Sequence, residues 1–477
     1  MEKSILPLME RKTLDTDQKA LEINLNEAIY GTFAEIGAGQ EVARYFFKVG
    51  GAAGTIAKTM SAYDKIYSDE IYGVEPQGRY VCESRLYKML NHEYSLMEQR
   101  LETYRAGRNF FVFADTVATI NYSRTIKGDG WLGLRFQLHP DAPPNDLVLH
   151  VKMLDNDQQT QQSAIGIVGV NMIHAAFYYH QDAERMICSL MDGLAGRVYI
   201  DMIRLTGPDF QHLDNRLLSY LLVRHGLTRV AMFGSDKQSM HASELVYKKA
   251  VMVVRGHFKP PTLVTLDVFT SGFRQFLNVE QLADDEQAVL LPELTMENLQ
   301  AFDTDAQRDF LDRAETLNAL GYPVIISNYQ NHQDLINYLA DYKISKLGLV
   351  IGVKELLEII ERKYIQNQDG RLLVAFGELF TRNIRIYAYP ALDRLTGEVV
   401  TGKNLLVPEG IKFLYQYLLE SRHIVEIGGY RQDLLFIQPQ DVLTKMLQDD
   451  PTWETMVPPL VREAIVNQHL FNQLVQA

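Results

Sequence analysis

The chain contains 477 residues, enough for two large domains or about three of ordinary size, each with its own core. Hydrophobic residues make up 47% and charged residues 22%, with 31 Gly and 16 Pro, so the composition excludes collagen-like, disordered and small disulfide-rich proteins. Acidic residues outnumber basic ones by 60 to 47, and the resulting net charge of -13 argues against a nucleic acid partner.

Cysteine usage and hydropathy indicate the compartment. Cys82 and Cys188 lie far apart with no CxxC pair, so we expect neither a disulfide framework nor a metal centre. Residues 1–20 mix charged and apolar positions and lack the apolar core of a signal peptide. The longest predominantly apolar stretch, 164–179, is shorter than the about 20 residues that a membrane-spanning helix needs. The sequence therefore predicts a soluble cytoplasmic protein with no membrane partner.

A strand, a glycine turn and a helix are predicted near the N-terminus. The segment YGTFAEI (30–36) alternates like a strand and leads through Gly37 and Gly39 into GQEVARYFFKV, which has helical spacing. The segment FAEIGAGQE (33–41) resembles the E-x-G-x-G motif of class I S-adenosylmethionine methyltransferases. It also resembles a dinucleotide fingerprint, except that Val42 replaces the third glycine.

This turn has two interpretations. Glycines let the backbone approach a ligand closely, and the start of a helix offers free N–H groups to an anion. On this interpretation Glu35, Gly37 and Gly39 hold a nucleotide-type ligand, and Asp64 binds its ribose. In the alternative, the turn needs glycine only for its backbone conformation. The cofactor itself is not specified by these residues.

Ionisable residues within apolar segments are the predicted catalytic groups. Burial penalises a charged side chain, so each should have a partner or lie at a cleft. Asp115 in FVFADTV and Asp201 in VYIDMIRL are the predicted catalytic carboxylates. Arg135, which is also a predicted catalytic residue, and Arg204 are their natural partners. Asp267 is placed in a strand at 262–269. Structural ion pairs are the alternative interpretation.

Three other motifs favour structural roles. The segment GEVVTGKN (397–404) has P-loop spacing but ends in Asn404. A hairpin turn is predicted instead at LDRLTGE (392–398), with Thr396 and Gly397 at its tip. The segment VRGH (254–257) falls one residue short of a (H/T)-x-G-H signature, so it is predicted to be a loop with a surface histidine. His174 is predicted to be a core histidine rather than a metal ligand.

The pattern of elements predicts an α/β protein. Three consecutive strands between 109 and 154 indicate a partly antiparallel sheet, hence a mixed α+β arrangement in the N-terminal part. Strand and helix alternation further on indicates parallel pairing. The acidic, Pro-containing segment 284–298 predicts a domain junction near 285. The domains are therefore 1–285, with a sub-boundary near 190, and 286–477, a second α/β domain.

Several segments resemble those of a bacterial protein family of similar length. They are 30–47, 53–64, 111–122, 130–137, 164–178 and 247–260. Members of this family carry the names nicotinate-nucleotide adenylyltransferase and TonB-dependent receptor. Val254 interrupts the signature that the first name requires, and the second name requires an export signal and many lipid-facing strands. The resemblance therefore implies a family but no catalytic residues.

Two main hypotheses about function follow. The first is a transferase-class enzyme that binds a nucleotide-containing ligand, such as S-adenosylmethionine, at 33–41; a hydrolase is disfavoured because no G-x-S-x-G elbow occurs. The second is a non-catalytic scaffold or regulatory protein that forms homo-oligomers through its 25 Tyr and 21 Phe. A nucleotidyltransferase, as the family name suggests, is a further alternative.

Overall fold

The computed structural model forms two compact units, Met1–Ala231 and Met232–Ala477. Both contain helices packed on a sheet, so the predicted multi-domain α/β fold is confirmed. None of the helices in the described part of the chain is long and apolar enough to cross a bilayer. The described residues are 13–76, 78–101, 107–125, 127–283, 285–300, 306–367, 370–380 and 384–471.

The division between the units does not fall at the predicted junction near 285. Residues Ala288–Thr295 instead form a strand in the sheet of the second unit. The acidic residues immediately precede this strand, and Pro292 lies within it. The charge and the proline that predicted a linker therefore lie just before and within a strand. Asp284, where the predicted junction segment begins, lies outside the described residues.

The first unit contains a six-stranded mixed sheet in the order β2-β1-β3-β4-β5-β6. Strand β1 runs parallel to β2 and β3, and the strands from β3 to β6 pair antiparallel. The predicted partly antiparallel sheet is therefore confirmed. The strands are β1 (Ile29–Gly37), β2 (Ile56–Ala62), β3 (Asn109–Ala118), β4 (Asp129–Phe136), β5 (Asn145–Met153) and β6 (Val198–Thr206).

Helices cover both faces of this sheet. The helices are α1 (Thr16–Asn24), α2 (Glu41–Val49), α3 (Lys65–Tyr72), α4 (Glu83–Leu101), α5 (Gln158–Tyr178), α6 (Ala183–Leu190) and α7 (Asn215–Arg224). The amphipathic helix α4 shares a core with Ala34 and Val112. Because successive side chains of a strand alternate, Phe33 and Phe111 point to the other face, where they contact Phe46 of α2 and Phe177 of α5.

The second unit contains an eight-stranded sheet in the order β16-β13-β12-β9-β10-β11-β7-β8 and a separate hairpin, β14-β15. Gly397, with φ of 72°, lies in the hairpin turn, so the predicted hairpin is confirmed. The strands are β7 (Val230–Phe233), β8 (Ser239–Met240), β9 (Ala250–Arg255), β10 (Ala288–Thr295), β11 (Val324–Ser327), β12 (Lys346–Gly352), β13 (Arg385–Tyr389), β14 (Ala391–Leu392), β15 (Val399–Val400) and β16 (Ile424–Glu426).

The strand predicted at 262–269 is wrong, because these residues begin a helix. Thr262 and Thr265 form a reciprocal capping box, which fixes a helix start ahead of the apolar run. The helices of the second unit are α8 (Ala242–Val246), α9 (Leu263–Glu280), α10 (Met296–Gln300), α11 (Ala306–Ala319), α12 (His332–Ala340), α13 (Val353–Gln366), α14 (Leu372–Leu379), α15 (Lys412–Glu420), α16 (Pro439–Leu447) and α17 (Pro459–Gln468).

Six strands of the second sheet are parallel and have a distinctive order. The chain passes from β9 to β10 and β11 on one side, then returns to β12, β13 and β16 on the other. Counted along the chain, the order is 3-2-1-4-5-6, which is that of doubly wound nucleotide-binding sheets. The direction of winding reverses between β9 and β12, and ligands of such sheets bind at the carboxyl ends of the strands at this switch point.

Candidate functional site

The predicted strand, glycine turn and helix form β1 and α2, and packing requires both glycines. Gly37 has φ of 76°, and a Cβ there would lie 2.2 Å from the backbone oxygen of Val117. A Cβ at Gly39 would lie 2.0 Å from Oδ1 of Asp115. The turn therefore needs glycine for its own packing, as the alternative interpretation of the sequence holds.

Glu35 occupies the start of α2. Its Oε1 accepts hydrogen bonds from the backbone N–H groups of Val42 at 3.0 Å and Ala43 at 3.3 Å. Burial raises the pKa of Glu35 to about 7, against the lowering effect of these two amides. The side chain of Glu35 thus binds the N–H groups at the start of α2, which the sequence interpretation assigned to an anionic ligand.

Asp115 lies beside Glu35 on the neighbouring strand. The two are register partners in the parallel pairing of β1 and β3. Asp115 is fully buried, and within the described part of the chain neither of its carboxyl oxygens has a hydrogen-bond partner. Burial, and secondly the charge of Glu35, raise the pKa of Asp115 well above its ordinary value, against a smaller lowering effect of the backbone amide of Ile36.

Asp64 lies just after β2, where it caps a helix. Its exposed carboxylate accepts a hydrogen bond from the backbone N–H of Tyr67, 2.9 Å away, at the start of α3. Asp is a preferred residue at this position because its side chain satisfies an otherwise free N–H group. The cap accounts for Asp64 without a ribose.

Arg135 does not pair with Asp115 or Asp201, which corrects the predicted catalytic grouping. Arg135 binds both carboxyl oxygens of Asp146 at 2.7 Å. On β4, the residue opposite Asp115 is Leu132. Arg135 is three positions further along β4, so its side chain points to the opposite face of the sheet.

Asp201 belongs to a separate ionic cluster on β5 and β6. Its Oδ1 lies 2.6 Å from Nδ1 of His150, and Oδ2 lies 3.2 Å from Nζ of Lys152. Although burial alone would lower the pKa of His150, Asp201 and Asp129 raise it to about 9. His150 and Lys152 are absent from the predicted site, although the alternation in DLVLHVKML places both on one face of a strand.

His174 is buried in α5, in agreement with its prediction as a core histidine. Its Nε2 lies 2.8 Å from Oε2 of Glu22, and its ring stacks on Tyr178. Burial, the largest cause, lowers the pKa of His174. These contacts are those of a packed core histidine with one polar partner.

The second unit has a cavity at its switch point that the sequence did not indicate. It has a volume of about 360 Å³ and is bordered by the last residues of β9, β12 and β13, by the start of α9 and by α16. This volume falls within the roughly 300–1,000 Å³ of small-molecule sites. The apolar lining residues are Val254, Pro260, Val264, Val268, Val350 and Leu443.

Polar groups enter this cavity from the loop between β9 and α9. His257 lines the cavity, and the residue is exposed, as the sequence predicted for a surface histidine. Partial burial of its ring and, secondly, the charge of Arg313 lower its pKa. Lys259 also lines the cavity, but its Nζ lies 2.7 Å from Oδ1 of Asp309. Glu355 lines the cavity from α13. His257 therefore brings an imidazole to the wall of the cavity.

The residues at the switch point do not fit an NAD-type dinucleotide. The loop RGHFKPPT contains only Gly256, and a Cβ there would lie 2.8 Å from the ring of Phe258, so a glycine-rich phosphate loop is absent from this described segment. Glu293, near the end of β10, is fully buried and binds Arg255 through both oxygens, at 2.8 and 2.9 Å. It is therefore unavailable to a ribose.

Comparison with known proteins finds similarity only to solved structures. No protein-family model and no curated protein matches the chain. The competence/damage inducible protein CihA from Agrobacterium tumefaciens is 16% identical, with 36% of this chain and 98% of that chain covered and a TM-score of 0.25. A competence or damage-inducible protein from Enterobacter asburiae is 14% identical over 34% of this chain and 98% of that one, also with a TM-score of 0.25. Similarity at this level assigns no activity.

Proposed function

We propose that the protein binds a nucleotide-type small molecule at the switch-point cavity of its second unit. The observation that carries the proposal is the coincidence of the cavity with the carboxyl ends of β9 and β12, where the strand order reverses. In open α/β sheets this crevice is the position at which ligands bind.

The chemistry of the cavity wall supports a ligand with a flat, largely apolar ring. Valine side chains from β9, α9 and β12 line it, with Leu443 of α16. Pockets of this kind bind the apolar part of a ligand and fix its orientation through a few polar groups. Because the loop after β9 does not fit a dinucleotide pyrophosphate, the ligand we propose is a mononucleotide or nucleoside derivative.

Group transfer is the reaction class we propose, with His257 as the residue that meets the reacting end of the ligand. Its lowered pKa favours the neutral imidazole, which is the form in which histidine acts as a general base. Glu355 of α13 lines the same cavity and supplies a second polar group. A neutral imidazole beside the apolar wall could act as a general base toward a bound nucleotide.

The test is thermal unfolding of the full chain with S-adenosylmethionine, ATP, NAD and nicotinate mononucleotide. A ligand at one hundred times its Kd adds about 2.7 kcal/mol to the stability of the unit that binds it. We expect a shift with a mononucleotide-type ligand and none with NAD. A shift with NAD alone would contradict the interpretation of Glu293 and of the loop after β9.

Two variants locate the site. Val268→Trp fills the cavity from α9, and Thr270→Trp adds the same side chain at an exposed position of the same helix as a control. The ligand-induced shift should be lost in the first variant and kept in the second. His257→Ala changes an exposed residue and should weaken the shift without altering the unfolding of the free protein. A shift that survives Val268→Trp and His257→Ala would exclude this cavity.

A further inference from the structure

Two buried carboxyl groups in the first unit share one face of the sheet. Glu35 and Asp115 are side by side on parallel strands, with 1% and 0% of their surface exposed. Two ionised carboxylates in such a position repel each other and lose their hydration, so one of them must remain protonated unless a cation neutralises the pair.

The groups around the pair supply no such cation. Glu41 of α2 is the charged group that raises the pKa of Glu35 further, and Arg44 pairs with Glu41 through a side chain that is 72% exposed. On α5 the titratable side chains, His174 and Tyr178, are engaged with Glu22. Within the described residues, the ion pairs of Lys and Arg include neither Glu35 nor Asp115.

The two carboxyl groups differ in their hydrogen bonds, which decides where the proton lies. Glu35 accepts two backbone N–H groups at the positive end of α2, and such bonds favour its ionised form. The carboxyl oxygens of Asp115 accept no hydrogen bond of standard geometry within the described residues, and only the smaller effect of the Ile36 amide favours its ionised form. They lie beneath Gly39, where no water-exposed surface remains. The proton therefore resides on Asp115.

We infer that Glu35 and Asp115 form an acid–base centre at the glycine turn, in which Asp115 retains a proton and Glu35 exchanges one with solvent. Because Glu35 holds the first amides of α2, each exchange changes the charge at the start of that helix. The species that this centre binds and releases is a proton, not a small molecule. The inference concerns the first unit alone and does not depend on the cavity of the second.

Infrared difference spectroscopy of the full chain tests the inference, since a protonated carboxylic acid has its own carbonyl band. The variants are Asp115→Asn and Glu35→Gln, which keep the size of each side chain, with Glu27→Gln as an exposed control. We expect an acid band near pH 8 that disappears in Asp115→Asn and persists in Glu27→Gln. A second band, titrating near pH 7, should be missing in Glu35→Gln.

Two outcomes would overturn the inference. The first is an acid band near pH 8 that is the same in Asp115→Asn as in the unmodified chain, because the proton would then lie elsewhere. The second is a rise in the unfolding temperature with Mg²⁺, Ca²⁺ or Mn²⁺ that Asp115→Asn abolishes, because the pair would then be a cation site. Circular dichroism of both variants at pH 5, where the pair is protonated, shows whether they are folded.

Discussion

Gly39 lies directly on the carboxyl group of Asp115: a Cβ at residue 39 would be 2.0 Å from Oδ1 and 2.4 Å from Oδ2. Because Asp115 is fully buried in a close-packed interior, moving its side chain away from residue 39 would displace neighbouring atoms. We expect Gly39→Ala to destabilise the first unit by at least about 2 kcal/mol. Urea unfolding followed by the fluorescence of Trp131, in a Trp453→Phe background, measures this change.

A matched control and a second substitution test the cause. A Cβ at Gly54 would meet no atom within 4 Å, so Gly54→Ala should leave the stability of the unit nearly unchanged. Removing the opposing side chain in Gly39→Ala/Asp115→Ala should recover part of the loss, because substitutions in contact are not additive. Additive effects in this pair would show that the contact with Asp115 is not the cause.

The stability of the first unit should fall as the pH rises. The pKa of Glu35 is about 7 in the folded chain against an ordinary value of 4.5, so the folded state binds more protons between these values. Its stabilising contribution is complete below the ordinary pKa and is lost as the pH rises through about 7, by up to about 3 kcal/mol. Urea unfolding near pH 5 and near pH 8 measures the difference.

Glu35→Gln removes the titration of Glu35, whereas the raised pKa of Asp115 contributes a fall in stability with rising pH in both chains. The difference between the two chains therefore measures the contribution of Glu35. The variant should be more stable than the unmodified chain near pH 8 and similar to it near pH 5, whereas Glu27→Gln should change neither value. A fall in stability with pH of the same size in Glu35→Gln would assign the titration to another group.

Asp64 should act on stability and not on ligand binding. Loss of the helix cap in Asp64→Ala should cost about 1 kcal/mol, while Asp64→Asn should cost little because Asn caps equally well. Both variants should keep the ligand-induced thermal shift. Loss of that shift in Asp64→Asn would support the ribose-binding role that the sequence suggested.

The buried pair of Arg255 and Glu293 should be sensitive to the loss of one partner. Arg255→Met leaves the carboxylate of Glu293 buried without its cation and should cost about 3–5 kcal/mol. Adding Glu293→Gln removes the uncompensated charge and should restore part of the stability. Guanidinium unfolding followed by Trp453, in a Trp131→Phe background, compares the single and double variants.

Local patterns predict the elements around the glycine turn well. Alternation in 30–36 and helical spacing after Gly39 correspond to β1 and α2. The placement of Asp115, Asp201 and Arg135 could not be predicted in the same way. Side chains from three strands meet only if register and face agree, and neither quantity is contained in a single segment of sequence.

Local patterns do not predict the switch-point cavity, because they do not predict β9, the central strand of the sheet that borders it. The segment AVMVVR follows two lysines and reads as part of a basic loop, and the apolar run after Thr262 reads as a strand. Short apolar runs of either kind have no distinctive period. The threonines at 262 and 265 are the available signal, since a capping box indicates the start of a helix.

The position of β9 at the centre of its sheet also has a consequence for synthesis of the chain. One edge of β9 pairs with β10, but the other waits for β12, which begins at Lys346, about ninety residues after β9 ends at Arg255. Until that segment leaves the ribosome, an apolar strand edge remains open to other chains. The nascent second unit is therefore most prone to aggregation during this interval, and slower translation would prolong its exposure.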